Sequence, residues 1–441
     1  MINKKQMKKT ILIYVLAILL FGKGVYADAQ PKDTKNSTLK LSFSERFRFV
    51  SWDNATSLDR TQAKESSFTR HRTSLMAQWI PKPGLELAVK LTNEFRYYFA
   101  PKGRDFNLHE VFVDNLYVKS NRPWDLPLSF IIGRQNIMLG EGFLVMDGHP
   151  LDGSRSIYFN AARMDLFLNK NNKLILFYTY QPETDNYLPV MNNKDQRLIE
   201  QPEEGMGIYF SGEFNEVNLN SYLIRKNIHS TDTKSMSSYI NTAGSRFVYQ
   251  LLERFSITGE GAVQFGDYGN FDRLSFGGYL HLDYKTNQLI PLLQNATLGT
   301  IYLAGDDPQT ERWEGWDPLF SRWPKWSESY IYTLIPEYNG KVAYWSNFIS
   351  IYGILKFKIS RNIGLNFSCH HLMSAEKPSL LSEFPGGNGK TRGNLLIVKS
   401  VFKLNKHLTG HVLWEFFSPG NFYRAGADCY NWFRFELICR I

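Results

Sequence analysis

Cysteine is scarce: the 441 residues contain three. Cys369, Cys429 and Cys439 follow no C-x-x-C spacing, so neither a disulfide framework nor a thiolate metal site is encoded. Long apolar runs are also missing. Beyond residue 29 no segment reaches the roughly 18 apolar residues of a spanning helix, which excludes a transmembrane helix from that part of the chain. The chain has no G-x-S-x-G elbow and no H-E-x-x-H pair. His370 and His371 are adjacent and would face opposite sides of a strand, so the pair cannot act together in one site beside Ser368 or Ser374. An enzyme using paired carboxylates is the remotest reading, and Asp306-Asp307 suits a loop cap better than a catalytic pair or a cation site. No cofactor and no metal is called for. The absence of a fixed-period repeat excludes a solenoid. The formal charge is +9, but Lys4, Lys5, Lys8, Lys9 and Lys23 contribute about half of it. So mild an excess gives no ground for nucleic-acid binding.

What is present begins with an address. Lys4, Lys5, Lys8 and Lys9 precede an apolar run from Ile11 to Phe21, and Ala27-Asp28-Ala29 offers small residues for cleavage. Residues 1–29 are expected to be a cleaved Sec signal peptide, and residues 30–38 a short lead. The rest is 39–441; the chain as a whole is aromatic-rich yet mildly polar, with 32 Phe, 24 Tyr, 10 Trp and a mean hydropathy of −0.32.

Period-two alternation organises that remainder. At the C-terminus Phe433, Phe435, Leu437, Cys439 and Ile441 alternate with Arg434, Glu436, Ile438 and Arg440. From Leu85 to Phe99, Leu87, Val89, Leu91, Phe95, Tyr97 and Phe99 alternate with Glu86, Lys90, Thr92, Glu94 and Arg96. The same pattern recurs from Leu39–Val50 and Phe68–Ile80 to Lys406–Phe417 and Cys429–Ile441, and predicts 18 strands. His109–Lys119 and Leu126–Gln135 alternate least cleanly. Tight links at Lys170-Asn171, Asn215-Glu216 and Glu253-Arg254 alternate with long ones at Ser51–Ser67, Asn136–Arg155, Pro182–Glu203, Asp306–Ser346 and Ser374–Gly393; Thr286–Gln294 is the main exception. An even strand number, short turns at one end and long loops at the other predict an all-β fold. The expected architecture is a transmembrane antiparallel barrel of the Gram-negative outer membrane, surrounded by outer-membrane lipid and inserted by the barrel-assembly machinery.

Several motifs stand at strand ends and in the long links. Gly133-Arg134-Gln135 ends one strand; Gly140-Glu141-Gly142 and Leu151-Asp152-Gly153-Ser154-Arg155 follow; Gly305-Asp306-Asp307 leads into Trp316-Asp317-Pro318 and Trp323-Pro324. In this order, over nearly all of the chain after the leader, they resemble the alginate-export family of outer-membrane proteins. That resemblance implies an 18-stranded barrel with a cationic pore and an anionic polysaccharide or oligosaccharide as its solute. The alternative is a general or small-solute porin without polysaccharide specificity.

Facing supports a cationic pore from the residues themselves. Arg46, Arg48, Arg70, Arg72, Lys90, Arg96, Arg163, Arg246 and Arg434 fall on or near faces opposite the apolar ones. Arginine facing lipid at mid-depth costs about 2–4 kcal/mol, so these side chains should point inward. Guanidinium forks bind carboxylates in two-point fashion, and rows of weak sites pass an anion onward. The competing reading pairs them with Glu86, Glu94, Asp165, Glu260, Asp283 and Glu436 as a structural network. The loops Asn136–Arg155 and Asp306–Ser346 are long enough to be functional. At least one is expected to fold into or over the outer mouth, bringing Arg134, Arg155 and Arg163 to the constriction.

Overall fold

The computed structural model describes residues 37–441 apart from 63–64, 104–109, 148–157, 193–194, 196, 233–235, 287–289, 322–325, 328–335, 339–340, 343–345 and 379–385. The expected leader at 1–29, Arg155 and the Trp323-Pro324 pair therefore lie outside the described residues.

Alternating residues build the wall. Its strands are β1 Thr38–Trp52, β2 Ser66–Lys82, β3 Leu85–Ala100, β4 Val111–Asn121, β5 Leu128–Gln135 and β6 Phe159–Phe167. Then come β7 Asn172–Gln181, β8 Glu203–Phe214, β9 Val217–Ile228, β10 Ser238–Leu252, β11 Phe255–Tyr268 and β12 Phe271–Lys285. The series ends with β13 Leu293–Leu303, β14 Phe348–Lys358, β15 Ile363–Met373, β16 Thr391–Lys403, β17 Leu408–Pro419 and β18 Tyr430–Arg440. Each strand pairs antiparallel with the next, and β18 returns to β1 from Ser44↔Arg440 to Trp52↔Trp432. These 18 strands form a closed barrel, which leaves no strand as an open sheet edge. At the seam Trp52 stacks on Trp432 with ring centroids 4.6 Å apart.

Every expected strand has its counterpart, with ends displaced by at most three residues. The alternation of link length breaks twice. Gly269-Asn270 closes β11–β12 as a tight turn at the long-loop end, and residues 286–292 make a longer link at the short-turn end.

The two faces separate by chemistry. Leu39, Leu41, Leu75, Trp79, Val89, Leu91, Leu223, Phe276 and Leu298 point outward and are exposed; Leu41 is 73% exposed. So continuous an apolar belt is the lipid-facing wall of a membrane barrel. The packed core is inside, where buried residues of the wall meet two inturned loops.

Candidate solute pathway

Strand register decides which arginines meet. Arg46 lies opposite Arg72 and Arg48 opposite Arg70 across β1 and β2. Arg70 is opposite Arg96 across β2 and β3, while Arg48 is opposite Glu436 across the seam. Like charges directly opposed on a sheet are destabilising. Three such pairs on the inner face of adjacent strands therefore need compensation. Arg70 Nε donates to Glu94 Oε1 at 2.6 Å, Arg72 donates to Asp114 at 3.1 Å, and Lys90 Nζ lies 2.6 Å from the same Asp114 oxygen. Arg48 pairs with Glu436. Arg434 Nε donates to His411 Nε2 at 3.0 Å, which leaves the ring proton on Nδ1, 3.4 Å from Glu436. Arg96 lies over the Phe68 ring at 5.0 Å and donates to the Tyr98 hydroxyl at 3.1 Å. Arg46, Arg48, Arg70, Arg72 and Arg434 are 2–5% exposed, so this is a dense cationic band with carboxylates set into it.

The opposite half of the circumference is covered by loops. Gly133 carries φ +121°, and a Cβ there would strike the Leu116 backbone, so glycine is required two residues before β5 ends and the chain leaves the wall. Ile137–Met138 and Val145–Asp147 then form a hairpin inside the barrel, and Phe320–Ser321 joins its second arm in parallel. Phe143 stacks on Trp316 and meets Tyr279 edge-on, both at 5.4 Å. Leu139, Leu144, Leu319 and Phe320 complete this core against inward Phe177, Tyr209 and Tyr222. The wall makes room: a Cβ on Gly277 would stand 2.7 Å from the Trp316 ring.

Polar bonds fasten the loops. Gln264 and Asp317 exchange two hydrogen bonds, at 2.6 and 2.9 Å; Lys226 Nζ donates to the Leu319 carbonyl at 2.8 Å; Arg273 donates to the Gly315 carbonyl at 3.1 Å. Ser327 donates to Glu415 on β17 at 2.7 Å, which carries the second loop across the lumen. Below the arginine band a cavity of about 360 Å³ opens among Ser44, Ser74, Lys90, Asn115, Lys119 and Gln135.

The residues singled out in the sequence divide into two groups. Arg46, Arg48, Arg70, Arg72, Lys90, Arg96 and Arg434 come together on four adjacent strands, β18 and β1–β3. The remaining arginines stand apart. Arg163 pairs with Asp165 two residues along β6, at 2.6 and 2.8 Å. Arg246 holds the first loop by donating to Glu141 at 2.7 Å. Arg134 is 2% exposed, donates to both Asp185 oxygens, and lies 3.6 Å over the Tyr158 ring. Its register partner Leu116 faces lipid, so Arg134 seals the upper wall against the loop after β7. Asp306 and Asp307 accept from the backbone N–H of Glu314 and Gln309, as loop caps do. Of the carboxylate partners anticipated for the arginines, Glu94, Asp165 and Glu436 make those pairs; Asp114, Glu141 and Asp185 went unanticipated. Asp114 sits at a bulge, where the β3–β4 register shifts between Lys90 and Leu91, and simple alternation misplaces it.

This fold defines a class: it is the fold of outer-membrane porins, and the apolar belt places the chain in the Gram-negative outer membrane. Solved structures share this fold. The chain is similar to Pseudomonas aeruginosa OccK1 (OpdK), with 9% identity, TM-score 0.59, and 91% of this chain and 98% of that one covered. Acinetobacter baumannii OccAB4 matches with 8% identity, TM-score 0.58, and coverage of 93% and 100%. OpdK also appears in a structure with vanillate, at 10% identity, TM-score 0.57, and coverage of 91% and 98%. No family model and no curated protein matches the sequence. The resemblance to the alginate-export family is thus corrected to the coarser statement that the chain has the outer-membrane porin fold. The tripeptides that carried it have local structural duties, Gly133-Arg134 at the wall exit and Asp306-Asp307 at turns.

Proposed function

We propose that this protein is an outer-membrane channel for small anionic solutes, reached by export through the leader at 1–29. The observation that carries the reading is the set of opposed arginine pairs, Arg46–Arg72, Arg48–Arg70 and Arg70–Arg96, facing a lumen narrowed by two loops. A wall built only for stability would alternate charge signs across strands. Here the destabilising arrangement is kept and partly offset, which serves a field that attracts anions. A guanidinium band suits carboxylates, and OpdK, solved with vanillate, shares the fold. The loop core favours compact solutes over a polysaccharide, because a polymer chain would have to displace Phe143 and Trp316 packing.

Planar-bilayer recording tests this. Reversal potentials in a KCl gradient should show anion preference, weaker at 1 M than at 0.1 M salt as the screening length falls from about 10 to about 3 Å. Replacing Arg46, Arg70 and Arg96 together by Ser should reduce the preference while heat-modifiable migration persists. Uronate oligomers of rising length should stop permeating beyond the shortest. Cation preference in the unaltered protein overturns the proposal, and free passage of long oligomers restores the polysaccharide reading.

A further inference from the structure

The outer face of the barrel carries a charge at mid-depth. On β1 the lipid-side positions run Leu39, Leu41, Phe43, Glu45, Phe47 and Phe49, so Glu45 stands at the centre of the apolar belt. Its cross-strand neighbours are Cys439 on β18 and Thr73 on β2, and Asn93 on β3 continues the row. Thr73 donates to the Glu45 carboxylate, and His71 Nδ1 lies 3.6 Å from it. His71 stacks on Phe95 at 4.6 Å and meets Phe47 edge-on at 5.2 Å. Phe47 in turn packs edge-on against Phe435 at 6.4 Å. Among the described residues, other outward acids such as Glu204 and Asp267 stand at strand ends, away from mid-depth.

Ionisable groups within the hydrocarbon are costly and by default mark a functional contact. Thr73 and His71 satisfy hydrogen-bonding capacity, but a carboxylate facing acyl chains still lies outside any polar medium. A covering protein surface removes that exposure. We propose that the face formed by β18 and β1–β3 is the contact through which a second copy of this chain packs, centred on Glu45. The patch suits its own image. It holds an acceptor, Glu45, beside donors, His71 and Thr73, inside a ring of Phe43, Phe47, Phe95 and Phe435. In a two-fold contact the same patch meets itself, so acceptor can face donor on both sides while the rings supply apolar area.

The mass of the full-length barrel in detergent, measured by sedimentation and read together with photobleaching steps in vesicles, tests this. Two chains per particle are expected for the wild type. Glu45→Leu, and His71→Leu as a second variant, should raise the dissociation constant of the pair at least tenfold and leave heat-modifiable migration and single-channel conductance unchanged. A lipophilic thiol crosslinker should join Cys439 to Cys439 in outer membranes, in a chain carrying Cys369→Ser and Cys429→Ser. One chain per wild-type particle overturns the proposal. So do a pair that survives both substitutions and a particle whose second component is a different protein.

Discussion

Glu94 is the carboxylate on which the arginine band most depends. Its Oε1 accepts from Arg70 Nε at 2.6 Å, its Oε2 lies 3.8 Å from Arg72, and the side chains of all three are 5% exposed. Glu94→Gln keeps the shape and removes the charge. Arg70 then stands opposite Arg48 and Arg96 with its carboxylate partner gone. Breaking a buried ion pair from one side costs about 3–5 kcal/mol. The lower figure is about a hundredfold in the folding constant. Urea titrations in lipid vesicles, followed by tryptophan fluorescence, should show that loss. Arg70→Gln alone removes a cation from a crowded positive band and should cost less. The double variant should fall short of the sum by about 1–3 kcal/mol, because the two groups share one interaction. Channel recordings should move the other way, with Glu94→Gln more anion-selective than the wild type. If Glu94→Gln unfolds within about 0.5 kcal/mol of the wild type, or the double variant is additive, the carboxylate is not compensating the arginines and the electrostatic account of this wall fails.

The inturned loop should constrict the channel: deleting residues 140–146 in a barrel that still folds should raise conductance markedly, and unchanged conductance would refute it. Phe143→Ala removes the ring between Trp316 and Tyr279 and should loosen the loop by about 3–5 kcal/mol, seen as added current noise and faster proteolysis of the loops. A pH effect is expected at the outer rim. Hydrogen bonds from Thr61 and the Arg424 guanidinium hold the Asp59 carboxyl well below the usual carboxylate range. A depressed folded-state pKa means that the stabilisation is complete above the unfolded value of about 4 and is lost as pH falls through the lower folded value. Hydrogen exchange of residues 59–62 and 424–428 should therefore accelerate relative to the barrel only on strong acidification; Asp59→Asn should show the faster exchange already at pH 7. Equal exchange in the variant would remove Asp59 from the rim contact.

The wall was legible because lipid on one side and a polar lumen on the other impose a period of two on every strand. Leu85–Ala100 and the C-terminal Tyr430–Arg440 could be placed from that period alone. Even the weakly alternating strands at Val111–Asn121 and Leu128–Gln135 fell within three residues of expectation, since their neighbours left no other room. Facing also followed: an arginine excluded from lipid has only the lumen, and Arg46, Arg70, Arg96 and Arg434 share one side of the wall. Cross-strand register did not follow. It decides that Arg48 meets Arg70 and Glu436, and no local pattern states it. The bulge that carries Asp114 to Arg72 and Lys90 breaks alternation, so only the folded β3–β4 pair reveals that partner. Arg134 looked like a pore residue because charge and strand-end position were all that the sequence offered; its contact with Asp185, 51 residues away, exists only once the loop after β7 folds back. The inward core of Phe143, Trp316 and Phe320 joins residues far apart in the chain. Loop residues carry no periodicity imposed by a membrane. Tertiary packing alone decides whether such a loop lies over the mouth or fills the lumen.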